Sequence, residues 1–195
     1  AVDRAGQVGA DGATHAGSFD ISYARCIPNV AILAPTDEAE CRLMLQTAYE
    51  HPGPALVRYP RGAGIGAEVG TGFETLPWGR ADLVRRGRDV ALLVFGTLLD
   101  SARQVAERLG ASLVNMRFVK PLDVEMVLRM AAEHRLLVTL EENMVQGGAG
   151  SAVNEALQDS GVAAHVLNLG FPDRFVEQAT QAEQLEMMGL SVDQI

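Results

Sequence analysis

The residues that could do chemistry crowd into one stretch, Asp3 to Asp20, which reads Asp-Arg-Ala-Gly-Gln-Val-Gly-Ala-Asp-Gly-Ala-Thr-His-Ala-Gly-Ser-Phe-Asp. Arg4 supplies a fixed cation, Asp3 and Asp11 supply carboxylates, and His15 supplies an imidazole, the side chain suited to moving protons near neutral pH. Gly6, Gly9, Gly12 and Gly17 sit among them. Glycine permits φ > 0 and close backbone approach at an entropic cost, so a string of them implies a loop held to one unusual path. A cation, a carboxylate and an imidazole on such a loop suit a polar substrate. The competing reading is a surface loop rich in turn formers.

Arg61 is a second anion candidate, leaving a strand in Arg58-Tyr-Pro-Arg-Gly62. Ligands of open α/β sheets collect at the carboxyl ends of strands, where Arg4 and Arg61 could converge. The planar guanidinium fork suits a phosphate better than an ammonium does. In the alternative, each arginine pairs with a carboxylate such as Asp3 or Asp11, and for Arg58 that pairing is the preferred expectation. Asp11 either orients His15 or holds a substrate hydroxyl. His51, His134 and His165 fall at helix or strand ends and are assigned no chemistry. Gly147-Gly-Ala-Gly150 has the look of a dinucleotide loop, but Val153 stands where a third glycine is required and no ribose-binding acid follows. Tight strand-to-helix packing is the expectation there. Glu141-Glu142-Asn143 either anchors that turn or meets another subunit.

The elements that must position these groups form two α/β units. In the first, residues 1–3, 29–34 and 55–59 read as strands, and 21–27 as a short helix stopped by Pro28. A second helix opens at Pro35 and Thr36, with Cys41, Met44, Leu45 and Ala48 as its apolar stripe. In the second unit, strands at 82–86, 90–95, 111–116, 136–141 and 165–169 alternate with helices. Their apolar faces carry Leu98, Ala102, Val105, Ala106 and Leu109, then Val124, Val127, Leu128 and Ala131, then Ala149, Ala152, Val153, Ala156 and Leu157. A last helix is expected at 181–188. The fold class is α/β: a truncated parallel-sheet unit at 1–62, a glycine-rich linker at 63–79, and a mostly parallel α/β domain at 80–195.

Composition narrows the function classes. At 195 residues, 48% hydrophobic and 21% charged, the chain can bury a sizeable core. A net charge of −9 argues against a nucleic-acid surface, and the basic stretch 80–88, broken by Asp82, reads as a solvated edge. No run is long enough to cross a bilayer. Cys26 and Cys41 lack metal-like spacing, so buried free thiols in a reducing cytoplasm are expected, without a zinc site. Ala1-Val2-Asp3 reads as a strand end without preceding partners, which leads to the expectation of a fragment.

Several motifs then resemble one family along essentially the whole chain. The 3–20 string, Ser22-Tyr-x-Arg-Cys-Ile-Pro-Asn29, Val57-Arg-Tyr-Pro-Arg-Gly62, Phe118-Val-Lys-Pro-Leu-Asp123, Glu141-Glu-Asn143 with Gly147-Gly-Ala-Gly-Ser151, and Phe171-Pro-Asp173 are similar to the 1-deoxy-D-xylulose-5-phosphate synthases. A looser pattern is shared with transketolase and the pyruvate dehydrogenase β-subunit, which are the alternative enzymes. A stand-alone binding or dimerisation module is the alternative outside enzymes. The resemblance implies three α/β domains in the intact enzyme, with part of the pyrimidine-binding domain at 1–62 and the transketolase C-terminal domain at 80–195. It implies a bacterial cytoplasmic homodimer dependent on thiamine diphosphate and Mg2+. That enzyme condenses pyruvate, with loss of CO2, and D-glyceraldehyde 3-phosphate, the first step of non-mevalonate isoprenoid biosynthesis and a feeder of thiamine biosynthesis. By motif position, Arg4 and Arg61 would hold the acceptor's phosphate, while Asp11 and His15 would contact the reacting groups and move protons. The sequence carries no Gly-Asp-Gly…Asn motif, so no cofactor-binding or metal residue is expected among these residues, and they are expected to be inactive on their own.

Overall fold

Short aliphatic runs with no polar alternation must be covered on both faces, and they form the two sheets of the computed structural model, which describes residues 1–195. The first unit holds α1 (Asp20–Arg25), β1 (Ala31–Leu33), α2 (Glu38–Glu50) and β2 (Ala55–Val57). The second holds β3 (Asp82–Arg85), β4 (Val90–Phe95), α3 (Leu99–Leu109), β5 (Ser112–Asn115), β6 (Phe118–Lys120), α4 (Val124–Glu133), β7 (Leu136–Met144), α5 (Ala149–Asp159), β8 (Val166–Phe171) and α6 (Gln181–Met187). The larger sheet runs β3-β5-β4-β7-β8 and is parallel except at β3–β5.

The smaller sheet differs from expectation. Its order is β2-β1-β6, parallel between β1 and β2 but antiparallel between β1 and β6. The strand–helix–strand crossover is parallel as expected, and the second unit lends the first an added antiparallel edge strand that the sequence reading did not include. Strand β6 is too short to announce itself by pattern; buried Phe118 fixes it by packing with Leu33 and Met44. The core is likewise shared: Ile21, Ala24 and Ile32 cluster with Leu93, Phe95 and Val153.

Helix α2 also departs from its apolar stripe. Asp37 caps it by accepting the Glu40 amide at 2.8 Å, and its buried face carries Glu40, Met44 and Thr47, leaving Leu45 44% exposed. Polar contacts explain the rotation: the Glu40 carboxylate accepts from Thr36, Asn115 and Arg117. Cys26 is exposed and Cys41 only partly buried, against the expectation of two buried thiols; Cys26 follows an amphipathic helix whose buried face is Ile21 and Ala24.

The glycine-rich stretch between the units lies along α2 as an ordered strap. Glu38 accepts the Gly66 amide at 2.7 Å, Arg42 donates to the Gly72 carbonyl at 2.5 Å, and Thr47 accepts the Leu76 amide at 2.8 Å. His51 then stacks on Trp78 with centroids 3.9 Å apart. These partners recur along successive turns of one helix, a ladder that glycine content alone does not reveal.

Candidate substrate site

Residues 2–5 run parallel to the end of β2. Val2 donates to the Val57 carbonyl at 2.9 Å, Tyr59 to Val2 at 2.9 Å, and Ala5 to Tyr59 at 3.0 Å. This register releases Arg4 and Arg61 from neighbouring segments at the same, carboxyl end of the smaller sheet. The loop that follows closes at a neck, where Gly6 and Gly17 exchange two backbone hydrogen bonds of 3.0 Å. Gly6, Gly9 and Gly12 have φ of 72°, 65° and 68°, the left-handed region that glycine alone enters freely. At Gly17 the reason is space: a Cβ there would strike the Arg4 carbonyl.

Inside the loop, a short 3-10 turn over Gly9–Asp11 delivers Asp11 to Arg61, with Nε and Oδ2 3.2 Å apart. The Arg61 side chain stays 49% exposed and also donates to the Val8 carbonyl at 3.4 Å. Arg61 and Gly62 border a cavity of about 430 Å³ with Val8, Gly9, Ala10 and residues 178–181. A larger cavity of about 740 Å³ lies between α2, the strap and the β4–α3 turn, with Arg61 and Glu142 in its lining. Arg4 and His15 line neither cavity. Arg4 approaches Asp3 at 3.5 Å and its buried Nε has no partner. His15 is exposed, its Nδ1 2.9 Å from Thr14 Oγ1. Both candidate arginines therefore pair with the acids named as alternatives; Arg61 alone of the four predicted site residues borders a cavity, Asp11 reaches it through the ion pair, and Arg4 and His15 stand apart.

The Glu-Glu-Asn run lies in β7, which continues past the expected end at 141 to Met144. Glu141 accepts the Ala149 and Gly150 amides at 2.7 and 2.8 Å, anchoring the start of α5. Burial nevertheless pushes its carboxyl up to about 7, against the pull of those amides. A Cβ at Gly150 would come within 2.6 Å of Thr139 Oγ1, so the glycine turn serves tight strand-to-helix packing. Glu142 accepts from Thr97 Oγ1, and burial pushes its carboxyl upward too. Asn143 caps α1, accepting the Ile21 amide at 3.2 Å. Arg58 has the acid partner expected for it: it grips Asp20 through two bonds of 2.6 and 3.1 Å.

Two glutamines of α6, Gln181 and Gln184, hold the loop backbone. No pattern in their own helix marks them. His134 Nε2 lies 2.8 Å from Ser112 Oγ, a pairing with the look of a nucleophile and its base. Ser112 is buried and also accepts the Gly87 amide at 2.8 Å, so this is a structural hydrogen-bond chain. No three His, Cys, Asp or Glu side chains converge as a metal site, and the sequence has no Gly-Asp-Gly…Asn motif. The residues present do not fit a metal-bound diphosphate. No helix is long and apolar enough to cross a membrane.

A strand-end glycine loop in a small sheet, completed by a strand from a mainly parallel α/β unit, defines a transketolase-type protein. The family model for the transketolase pyrimidine binding domain matches residues 1–65, that for the transketolase C-terminal domain matches 79–195, and the chain belongs to the transketolase family. Within it, the chain is similar to proteins named 1-deoxy-D-xylulose-5-phosphate synthase. It is 60% identical to that of Cellvibrio japonicus over 97% of its own length, 56% to that of Bordetella petrii over 97%, and 57% to that of Thioalkalivibrio sulfidiphilus over 100%. It spans only 30% of the length of each. Among solved structures, a split gene transketolase described as an inactive beta4 tetramer superposes with a TM-score of 0.84 at 30% identity, over 98% of this chain and 61% of that one. The transketolase of Campylobacter jejuni shares the fold, with a TM-score of 0.68 at 20% identity, over 96% of this chain and 28% of that one.

Proposed function

We propose that these residues form the acceptor-phosphate side of a thiamine-diphosphate- and Mg2+-dependent synthase that condenses pyruvate, with loss of CO2, and D-glyceraldehyde 3-phosphate to 1-deoxy-D-xylulose 5-phosphate. In this reading 1–62 is part of the pyrimidine-binding domain, 80–195 is the C-terminal domain, and the intact enzyme is a cytoplasmic homodimer. The observation that carries the site is Arg61: half exposed, on a cavity of about 430 Å³, with its guanidinium engaged by an acid of the glycine loop. A phosphate arriving there displaces the Asp11 carboxylate, because two anions cannot share one fork without repulsion. Freed Asp11 then accepts a hydroxyl of the acceptor. The family resemblance, rather than the cavity lining, adds Arg4 from the same sheet end as a second cation and His15 as the group that moves a proton at the reacting oxygen, since both lie outside the cavity that Arg61 borders.

When bound, the cofactor would supply carbanion stabilisation, and no residue of this chain is assigned to hold it. A polypeptide of the relatives' full length containing this chain is expected to release CO2 from pyruvate and form 1-deoxy-D-xylulose 5-phosphate when D-glyceraldehyde 3-phosphate is present. The 195 residues alone are expected to form none. Product from a different acceptor, or turnover by the 195 residues alone, contradicts the reading.

A further inference from the structure

The path of the glycine loop is dictated from the other unit. Gly9, where the 3-10 turn toward Asp11 begins, donates its amide to Gln184 Oε1 at 3.0 Å, and Gln184 Nε2 donates to the Gly9 carbonyl at 3.4 Å. This is a reciprocal pairing of one side-chain amide with one backbone residue. A carboxamide, with donor and acceptor side by side, is the side-chain group that can make it. Gln184 is 0% exposed, and its Nε2 is further fixed by the Glu177 carbonyl at 3.0 Å. One turn earlier, Gln181 Nε2 donates to the Gln7 carbonyl at 3.1 Å and to the Arg61 carbonyl at 2.9 Å. A single side chain thereby joins the loop to the segment bearing Arg61. The start of α6 is set by a capping box between Thr180 and Glu183, which gives both glutamines a fixed platform. The far side of the loop is held in the same way, the Met144 amide of β7 donating to the Ser18 carbonyl at 2.8 Å.

We propose that α6 of the second unit is the template for the substrate loop, with Gln184 and Gln181 as positioning residues that set Asp11 against Arg61. Gly9 is two residues from Asp11 in a left-handed turn, so releasing its amide and carbonyl moves the carboxylate that faces the guanidinium. The part of the proposal that concerns the acceptor rests on the function proposed above; the part that concerns the loop does not.

The test compares the chain with Gln184→Leu and Gln181→Ala variants by amide hydrogen exchange, with D-glyceraldehyde 3-phosphate affinity as a second readout. Gln184→Leu is expected to speed exchange over Gly9–Asp11 by about tenfold or more and to weaken the ligand, while the amides of β4 keep their protection. Loop exchange unchanged in both variants, with β4 protected, overturns the proposal. If Gln184→Leu also opens β4, exposed Gln181 decides: faster loop exchange in Gln181→Ala supports the template and unchanged exchange overturns it. Faster loop exchange in the variants of a chain that binds no D-glyceraldehyde 3-phosphate upholds the template and removes the proposed function.

Discussion

Glu141 is fully buried, yet it is the acceptor that the first two amides of α5 require. Desolvation outweighs those amides and lifts its pKa from 4.5 to about 7, so the folded chain holds this proton more tightly than the unfolded chain does. Its contribution to stability is therefore fully present below the unfolded value and is lost as pH rises through the folded one. Glu142, shifted in the same direction, adds to the slope. Urea unfolding should show stability falling between about pH 5 and pH 7.5, with roughly 3 kcal/mol at most from Glu141. Glu141→Gln should flatten that slope, and an equal slope in both proteins contradicts the assignment. Residue types were legible before any geometry: Arg4, Asp11, His15 and Arg61 stand out because charged and titratable groups among glycines have little structural use. Which acid meets which arginine was not legible. The choice of Asp11 for Arg61 and Asp3 for Arg4 follows from the register of residues 2–5 on β2 and from a turn set by a distant helix.

Elements with strong periodic patterns were readable to within a few residues: α3 and α5 fall where hydrophobic spacing puts them. Strand β6 and the strap along α2 were not. A three-residue strand has no period, and the strap is held by polar contacts to α2 whose spacing belongs to the helix. Asp123 ties these features together. It caps α4 by accepting the Met126 amide at 3.0 Å, accepts the Ala81 amide at 2.9 Å where the strap enters β3, and sits 3.6 Å from Arg80. Asp123→Ala removes a cap and leaves a second amide without its acceptor. The expected loss is about 2–3 kcal/mol, read as a lower urea midpoint with an unchanged m-value. A loss below about 0.5 kcal/mol would make the cap incidental.

The two units are joined by more than their connecting chain: they share a sheet, a hydrophobic cluster and buried charges. Arg58 and Asp20, each 3% exposed, form a two-bond ion pair, and Arg58 extends to the Glu142 carbonyl of β7 at 3.0 Å. Arg58→Ala strands a buried carboxylate and cuts that tie, so it should cost about 3–5 kcal/mol and lower the unfolding of both units together. Independent melting of the second unit at its original temperature contradicts a common core. Sequence pattern suggested two units with a glycine-rich linker; burial at their junction depends on contacts between distant residues that no local pattern encodes. The same junction builds the site, because the loop bearing Asp11 is shaped by one unit and anchored in the other. The most direct measurement is the KM for D-glyceraldehyde 3-phosphate of the full-length enzyme with and without Arg61→Ala. The proposed grip of Arg61 on the acceptor phosphate predicts a rise of about 10- to 100-fold with the pyruvate KM little changed, as the loss of a charged hydrogen bond requires. An unchanged acceptor KM contradicts it.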